Sequence, residues 1–440
     1  MEKQKITASF ISLGCFKNIV DTEVLGGMLE KYNIQIVSSY EKSDWIIINT
    51  CGFIQEAKEE GIEEILETLE KKESGEIKHV AVFGCLTQRY YEELKANFKN
   101  ADIIWGVNDL DQLARMIAGG KKEEYKNKNL FLYDENHNRI IITTPNSTFI
   151  KISEGCNMYC SFCAIPQIRG PFRSRSIDSI IKEAQKYKEM EFQEINLVSQ
   201  NSTHFGKDRG TKSQLPELLK EISSLGFNAV RVLYMMPEEV TDEIIAAFSY
   251  PTIIPYFDLP FQHVSPILLK RMNRSGSSAK NLELINNIRK KYWDAVIRSS
   301  FIVGFPGETR AEFKELLEFA AVSKIERFGV FGYSDEENTE AFKLKKKNSQ
   351  AVIEKRKELL MDISDQNLEN YNKKIIGTEQ DFLPQGPSPW DGGSTIGRIK
   401  SQAPETDGFT QVNEPFDDDY HMFKIKITNF KYEMLLGERI

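Results

Sequence analysis

The sequence predicts an α/β protein of several domains, and three observations support this. In the N-terminal part, apolar runs alternate with helical patterns at an interval of about 35 residues, the length of one βα unit. From residue 149 onward, six apolar runs alternate with amphipathic stretches, which is the pattern of a (β/α) barrel. In the last 65 residues, short apolar runs are separated by Pro, Gly and Asp, as in a small all-β barrel.

The predicted domains are a Rossmann-like or flavodoxin-like α/β domain, a partial (β/α)6 barrel similar to a TIM barrel, and a small C-terminal all-β barrel. We expect their boundaries at 1–140, 146–374 and 375–440. The hydrophilic passage 119–138 is rich in Lys, Glu and Asn, which indicates a surface segment or the approach to a linker.

Composition limits the possible partners. The 440 residues have a net charge of −8, which argues against a general affinity for nucleic acid, so DNA is not an expected partner. No apolar run approaches the roughly 18 residues of a membrane span. Nothing at the N-terminus resembles a secretion signal, and we therefore expect a cytoplasmic protein.

Three apolar runs in the N-terminal domain predict parallel strands, and a cysteine follows each of them. The runs are 6–13, 45–48 and 79–83, and the cysteines, here called the N-terminal triad, are Cys15, Cys51 and Cys85. The carboxyl ends of parallel strands lie along one edge of a sheet, so the three thiols can converge. The alternative is three unrelated buried cysteines, which are common core residues.

The central domain contains six predicted strands, at 149–153, 194–198, 229–234, 256–259, 297–303 and 328–333. Helical patterns lie between them, at 177–187, 215–225, 241–248, 279–292 and 310–321. A long charged helix at about 350–374 closes the domain.

A second group of cysteines, here called the loop triad, follows the first barrel strand. Cys156, Cys160 and Cys163 have the spacing C-x3-C-x2-C. Three thiolates on one loop can bind three irons of a 4Fe-4S cube and leave the fourth iron open for a small molecule. A zinc site is the main alternative, but it would need a fourth ligand, and the histidines nearest in sequence are His137 and His204. A disulfide with one odd thiol is less favoured in a cytosolic chain.

Taken together, the motif Gly155-Cys156-x3-Cys160-x2-Cys163, the N-terminal triad and the C-terminal β module resemble the radical S-adenosylmethionine methylthiotransferase family over essentially all 440 residues. The resemblance implies a radical S-adenosylmethionine domain and a C-terminal TRAM domain. It also implies two 4Fe-4S clusters, one on each triad, with S-adenosylmethionine chelating the open iron and yielding a 5′-deoxyadenosyl radical. A sulfide or polysulfide sulfur source and an external electron donor such as flavodoxin or ferredoxin are implied as well.

The resemblance further implies a set of residues around S-adenosylmethionine, and no catalytic side chain is implied beyond the cluster ligands. Phe162 stands in the family's aromatic position before the last loop cysteine. The other implied cofactor-binding residues are Ser199, Gln200, Asn201, Arg298, Ser300, Ile302 and Gly304. For the basic stretch 169–175, two interpretations remain open: a solvated surface loop, or a role in holding an acidic substrate or the cofactor carboxylate.

Two subfamilies compete. One modifies the β-carbon of an aspartate in small ribosomal subunit protein twelve, alone or in the ribosomal subunit; the other, MiaB, modifies an adenosine in transfer RNA. Gln262-His263 after Pro260-Phe261 resembles the first subfamily, although a lone histidine can equally be structural. Phe16 departs from the family's usual Pro, and Asn201 resembles the transfer RNA enzymes.

The charge of the C-terminal module supports the ribosomal protein as substrate. Residues 376–440 contain eleven acidic and six basic side chains. An acidic module suits a basic ribosomal protein better than the phosphates of transfer RNA. The hypothesis that the resemblance implies, and that this charge supports, is a radical enzyme that forms 3-methylthioaspartate. The transfer RNA methylthiotransferase is the alternative, and an iron–sulfur scaffold or redox sensor is a third possibility.

Overall fold

A computed structural model describes residues 5–39, 43–121, 125, 131–144, 146–417 and 421–440. Contacts divide the chain into two compact units. The first unit comprises Met1–Thr143, Lys151–Ile180 and Glu336–Thr339, and the second comprises Thr144–Ile150, Ile181–Asp335 and Glu340–Ile440. The predicted boundaries of three domains stay a prediction.

The first unit is built around a five-stranded parallel sheet of order β2-β1-β3-β4-β5. Its strands are β1 (Thr7–Ser12), β2 (Gln35–Ile36), β3 (Trp45–Thr50), β4 (His79–Gly84) and β5 (Ile103–Ile104). Its helices are α1 (Phe16–Lys31), α2 (Gln55–Glu73), α3 (Cys85–Arg89), α4 (Tyr91–Asn97) and α5 (Leu110–Ile117). This is the flavodoxin-like order, in which the chain changes direction across the sheet between β1 and β3 and ligand sites form at that point.

Local sequence explains these elements. Every residue of β3 is buried, and Ile46 and Ile48 pack with Val80 of the neighbouring strand and with Ile65 of α2. A continuous apolar run of this kind is expected for a parallel strand covered on both faces. The prediction of three βα units is confirmed by the observed order.

The passage 119–138 is only partly a surface segment. Tyr133 is buried, and its hydroxyl accepts a hydrogen bond from the backbone N–H of Lys151 at 3.0 Å. Tyr125 stacks on Tyr91 with a centroid distance of 4.3 Å. Tyr133 is thus hidden in a hydrophilic composition and the prediction of a surface segment is wrong at this residue, whereas Tyr125 is half-buried. Residues 122–124 and 126–130 lie outside the described residues.

The segment that carries the loop triad also belongs to the first unit. It contains β7 (Ser153–Glu154), α6 (Ile165–Arg169) and β8 (Arg173–Ser174), and it follows β6 (Ser147–Lys151). β7 and β8 pair in antiparallel fashion. The helix α7 (Ile177–Glu189) begins after this hairpin.

The six predicted barrel strands form two three-stranded parallel sheets, ordered β10-β9-β6 and β11-β12-β13. A parallel bridge between Val230 and Ile253 joins the two sheets, so the strands follow chain order, as expected for a partial (β/α)6 barrel. The remaining strands are β9 (Glu194–Val198), β10 (Ala229–Val232), β11 (Tyr256–Asp258), β12 (Val296–Val303) and β13 (Arg327–Gly332). The helices are α8 (Leu215–Ser223), α9 (Asp242–Ala247), α10 (Pro266–Arg271), α11 (Ser278–Lys291), α12 (Arg310–Ser323) and α13 (Gln350–Ile375).

The C-terminal module is a closed five-stranded barrel of order β14-β15-β16-β18-β17, which fits the predicted TRAM domain. Its strands are β14 (Glu379–Pro387), β15 (Thr395–Ile399), β16 (Thr410–Val412), β17 (Phe423–Lys431) and β18 (Met434–Arg439). Phe382, Ile399, Val412, Ile425 and Leu435 fill its core. Closure leaves no unpaired sheet edge.

Buried charges attach the C-terminal barrel to the (β/α)6 barrel within the second unit. Arg398 of β15 donates to Glu194, the first residue of β9, at 2.5 Å. Tyr256 of β11 donates its hydroxyl hydrogen to Asp407 at 2.5 Å. None of the described helices is long and apolar enough to span a membrane.

Candidate active site

The three cysteines of the N-terminal triad follow three adjacent strands of the sheet. Cys15 precedes α1, Cys51 follows β3, and Cys85 opens α3. All three thiols are free, and they are close enough for charge on Cys15 and Cys51 to raise the pKa of Cys85. The three thiols therefore converge, which favours a shared site over three unrelated core cysteines.

Asn18, on the first turn of α1, joins the turns that carry these thiols. Its Nδ2 donates to the carbonyl oxygens of Leu13 and Thr50 at 3.1 and 3.2 Å, so one amide links the ends of β1 and β3. Its Oδ1 lies 3.5 Å from the Sγ of Cys85 and 4.0 Å from the Sγ of Cys15. Asn18 is fully buried, so water does not compete for these hydrogen bonds. The hydrogen bonds hold the turns at a fixed spacing.

Gly14 shows how tightly the same turns are packed. Its φ is +93°, in the region that favours glycine. A Cβ at this position would lie 2.8 Å from the Cβ and 3.2 Å from the Sγ of Cys51. Only glycine therefore lets the end of β1 approach Cys51 without displacing it.

Arg169, from α6, contributes a cation to the N-terminal triad. Its Nη2 donates to the Sγ of Cys85 at 3.0 Å and to the Oδ1 of Asn18 at 2.7 Å. Its Nη1 donates to Asp21 at 2.6 Å. Because Arg169 is 3% exposed, the interpretation of this stretch as a solvated loop is wrong at this residue. Its partners are groups of the protein itself.

The surroundings of the thiols have opposite effects on their acidity. Burial raises the pKa of Cys15, but the charges of Lys17 and Arg169, together with backbone hydrogen bonds from Asn18 and Lys17, outweigh burial and leave that pKa below its ordinary value. Burial raises the pKa of Cys51, and the charge of Cys15 adds to the effect. Burial also raises the pKa of Cys85, to about 12. Thiolates are the form that binds iron, so any iron bound by Cys85 would have to stabilise the charged form of this thiol.

The loop triad is held by the segment between α6 and β8. The backbone N–H of Cys156 donates to Gly170 O at 3.1 Å, and the N–H of Phe172 donates to the side-chain oxygen of Asn157 at 3.0 Å. The N–H of Met158 points at the Sγ of Cys156 at 3.5 Å. This arrangement presents the sulfurs on a short constrained loop, and an amide donor at a ligand sulfur is typical of iron–sulfur sites.

The chemistry of the donor sets fits two cubic clusters. Each triad consists of cysteines that form no disulfide, one with a cation and an amide around it and the other with a backbone N–H donor. Within the described ranges, no three His, Cys, Asp or Glu side chains are grouped to hold a single metal ion. In a cube each thiolate binds a different iron, so the sulfurs lie further apart than around one ion.

Two of the predicted cofactor-binding residues after β9 are engaged in hydrogen bonds. The Oγ atoms of Ser199 and Ser202 lie 3.2 Å apart. The Nδ2 of Asn201 donates to Glu239 at 2.8 Å, and Gln200 lies between them on the same turn. Phe162 of the loop triad is half-buried. Binding of S-adenosylmethionine by these residues stays a prediction.

Glu239 was not predicted. It accepts hydrogen bonds from Asn201, His204 and Lys207. Burial acts to raise its pKa, but the donors outweigh burial and lower the pKa to about 2. Its sequence context, Pro-Glu-Glu, contains no motif that could have identified it.

The predicted residues of β12 lie in two groups. Ser300 and Ile302 both form backbone hydrogen bonds with Gln262, at 2.9 and 2.7 Å. The predicted cofactor-binding residues of β12 therefore lie beside the Gln262-His263 motif. Arg298, nearer the start of the strand, pairs with Asp258 at 3.1 Å and contacts Asp407 of the C-terminal barrel at 3.5 Å. Arg298 therefore contacts different residues from those that Ser300 and Ile302 contact.

Gly304 and His263 both contact Glu308, which follows β12. The backbone N–H of Gly304, with φ +77°, donates to Glu308 Oε2. The Nδ1 of His263 accepts from the N–H of Ser265 at 3.0 Å, and its Nε2 lies 3.7 Å from Glu308 Oε1. His263 is fully buried, which favours the structural interpretation of this histidine.

Comparison with protein families identifies the class. Residues 150–320 match the Radical SAM superfamily, and residues 7–106 match the uncharacterized protein family UPF0004. With a three-thiol loop after the first strand of a partial barrel, this makes the chain a radical S-adenosylmethionine enzyme. Members of that class use a 4Fe-4S cluster and S-adenosylmethionine.

Curated relatives identify the family within that class. The chain is 39% identical to the ribosomal protein uS12 methylthiotransferase RimO of Natranaerobius thermophilus, covering 97% of this chain and 98% of the relative. It is 42% identical to RimO of Thermosipho africanus, covering 95% of each chain. The chain belongs to the RimO family of methylthiotransferases. This relationship supports the main hypothesis over the MiaB alternative.

Solved structures agree on the fold. The radical S-adenosylmethionine methyltransferase TsrM from Kitasatospora setae matches with a TM-score of 0.54 at 12% identity, covering 74% of this chain and 73% of TsrM. The cobalamin-dependent S-adenosylmethionine radical enzyme OxsB matches with a TM-score of 0.50 at 14% identity, covering 83% of this chain and 56% of OxsB. At these identities the likeness concerns the fold alone.

Proposed function

We propose that this chain replaces a hydrogen at the β-carbon of an aspartate of ribosomal protein uS12 with a methylthio group. The observation that carries the proposal is the convergence of the N-terminal triad around Asn18 in a chain that belongs to the RimO family. A second thiol triad is the feature that a sulfur-inserting enzyme needs in addition to the radical loop. The proposed setting is the cytoplasm.

The proposed roles of the chain's own residues follow from their contacts. Cys156, Cys160 and Cys163 hold the radical cluster, and Cys15, Cys51 and Cys85 hold an auxiliary 4Fe-4S cluster. Around S-adenosylmethionine, the proposed residues are Phe162, Ser199, Gln200, Asn201, Arg298, Ser300, Ile302 and Gly304.

Gly304 has a positive φ, and a Cβ at this position would lie 2.4 Å from Cγ1 of Ile353, so packing within the protein already requires glycine here. Its place in the pocket is proposed from its position after β12. Arg298 is the weakest member of the set, since its charge is already paired with carboxylates.

The reaction needs cofactor chemistry. An unactivated C–H bond has no accessible pKa, so no side-chain acid or base can remove that hydrogen. When bound, the radical cluster and S-adenosylmethionine supply hydrogen-atom abstraction. The protein's part is to hold the two cofactors and the aspartate and to exclude water.

The proposed partners are uS12, free or in the ribosomal subunit, and a low-potential reductase such as flavodoxin or ferredoxin. The sulfur source is sulfide or polysulfide. The net charge of −8 supports a basic protein as substrate.

Mass spectrometry tests the proposed reaction. Reconstituted protein, incubated with S-adenosylmethionine, sulfide, reductant and uS12, is expected to add about 46 Da to one aspartate, the mass of CH3S minus one hydrogen. A protein in which Cys15, Cys51 and Cys85 are all changed to Ala serves as the control, which should cleave S-adenosylmethionine without adding sulfur. No mass change with about eight irons bound would contradict the proposal.

A parallel assay with transfer RNA tests the alternative. Transfer RNA binding with a steep salt dependence, together with methylthiolation of an adenosine, would favour that function. The acidic chain predicts weak transfer RNA binding at physiological salt and measurable binding of uS12 that weakens as salt is added.

A further inference from the structure

A buried group of four charges connects the N-terminal triad to the segment that carries the loop triad. Arg169 donates to Asp21 at 2.6 Å and lies 3.4 Å from Glu154, and Lys151 donates to the same two carboxylates at 2.5 and 2.6 Å. All four side chains are at most 6% exposed. Glu154 stands two residues before Cys156, and Asp21 lies on the helix that follows Cys15.

The group is balanced without any cysteine. Two cations face two carboxylates, and Lys151 contacts both carboxylates without contacting a sulfur. Arg169 has an additional contact, 3.0 Å from Nη2 to the Sγ of Cys85. The neutrality of the four-charge group does not depend on the contact between Arg169 and Cys85. This contact can therefore have a separate function.

The contact has a predictable electrostatic effect. An iron–sulfur cluster gains one negative charge when it accepts an electron, and hydrogen bonds to its ligand sulfurs and nearby charges set its reduction potential. A buried guanidinium that donates to a ligand sulfur stabilises the more negative state, because charge-assisted hydrogen bonds are strong where solvent is excluded. A buried carboxylate nearby acts in the opposite direction.

We propose that Arg169 is a positioning residue that raises the reduction potential of the cluster on the N-terminal triad, and that Asp21 opposes it. This inference rests on the proposed function, since it requires a cluster on Cys15, Cys51 and Cys85. It assigns Arg169 an electronic role in addition to packing. The loop segment thereby controls the electron affinity of a cluster held by a different part of the chain.

Asn18 strengthens the argument from geometry. Its Oδ1 accepts from Arg169 at 2.7 Å and lies 3.5 Å from the Sγ of Cys85. The guanidinium is therefore fixed from two sides, by Asp21 and by Asn18, with its Nη2 directed at the sulfur. A cation held in this way keeps its orientation when the cluster changes charge.

The test measures the midpoint potential of the N-terminal cluster by EPR-monitored redox titration. The full-length chain with Cys156, Cys160 and Cys163 changed to Ala is used, so that about four irons remain, all on the N-terminal triad. In this background, Arg169→Gln is expected to lower the reduction equilibrium constant at least tenfold, which is about 59 mV for a one-electron couple. Asp21→Asn is expected to shift the potential upward.

The matched control is Lys151→Gln. It removes the same charge from the same buried group but no contact to sulfur, so its shift should be less than half of that for Arg169→Gln. A purely structural role of Arg169 would not give opposite signs for Arg169→Gln and Asp21→Asn.

A spectroscopic measurement covers the case in which Arg169→Gln binds no cluster. In protein labelled with 15N-arginine, pulsed EPR of the reduced cluster should show a weak 15N coupling, which the unlabelled protein lacks. Its absence would overturn the inference, as would equal potentials for Arg169→Gln and the parent protein with four irons bound. If the background protein binds no iron, the two-cluster proposal itself fails, and the inference fails with it.

Discussion

Asn18 and Arg169 illustrate what individual residues do at the candidate active site. Neither binds a cluster in the proposed function, yet Asn18 links the turns of the N-terminal triad and Arg169 donates a hydrogen bond to the Sγ of Cys85. The cysteines themselves could be predicted, because each follows an apolar run. Asn18 and Arg169 could not, because their contacts join residues up to 151 positions apart in sequence.

The first prediction concerns Gly14, where an added methyl group must displace Cys51. Gly14→Ala is expected to reduce bound iron from about eight to about four per chain, because the new Cβ would lie 2.8 Å from the Cβ of Cys51. Iron analysis of anaerobically purified protein measures this loss.

Gly75→Ala is the control for backbone strain. Gly75 has a similar φ of +85°, but no atom lies within 4 Å of an added Cβ. This variant should keep about eight irons. Equal iron content in both variants would show that the close approach at Gly14 does not hold Cys51 in place.

At the scale of elements, the hairpin of β7 and β8 positions the loop triad. The predicted strand before the loop was expected to run to residue 153, but the structure divides it into β6 and β7. The reason is the return strand: β7 pairs with β8, whereas β6 belongs to the barrel sheet. A two-residue strand pair has too little periodicity to be predicted from sequence.

The second prediction tests this hairpin through Asn157. Asn157→Ala removes the acceptor for the N–H of Phe172 and should weaken the loop by about 1 kcal/mol, the typical worth of such a hydrogen bond. In protein whose N-terminal triad is changed to Ala, iron release to a chelator should become about fivefold faster.

Asn157→Asp keeps the acceptor oxygen and is the matched variant. It should release iron at close to the parent rate. If both variants behave alike, the side-chain hydrogen bond does not constrain the loop.

At the scale of the molecule, counting acidic residues in the sequence overestimates the number of exposed, unpaired carboxylates on the C-terminal barrel. Of its eleven acidic residues, Asp407 is buried against Arg298 and Arg327. Asp381 is paired with Lys400 and Lys424. Composition treats every charge as exposed, so the number of acidic groups available to a basic partner is smaller than the count of eleven.

The third prediction concerns Glu194, which joins the two barrels of the second unit. Burial acts to raise its pKa, but Arg398 and Arg231 outweigh burial and lower the pKa to about 2. A depressed carboxyl pKa stabilises the fold above the ordinary value of 4.5, and this contribution is lost as the pH falls toward about 2. Glu194→Gln should therefore lower the free energy of unfolding by about 3 kcal/mol at pH 7.

Urea unfolding at pH 7, 4 and 3 measures the difference in the free energy of unfolding between the parent protein and Glu194→Gln. This difference should become smaller each time the pH is lowered. Glu217→Gln on the exposed face of α8 is the control and should leave stability within about 0.5 kcal/mol of the parent. A difference independent of pH would contradict the assignment of the low pKa to Glu194.

The contact between Arg169 and Cys85 also has a consequence for the time course of synthesis. The two residues are 84 positions apart, and at about 5–20 residues per second the arginine emerges roughly 4 to 17 s after the cysteine. Through that interval the Sγ of Cys85 lacks the guanidinium that contacts it in the folded chain. A cluster delivered to the nascent chain would be bound in a different electrostatic environment from one delivered after release.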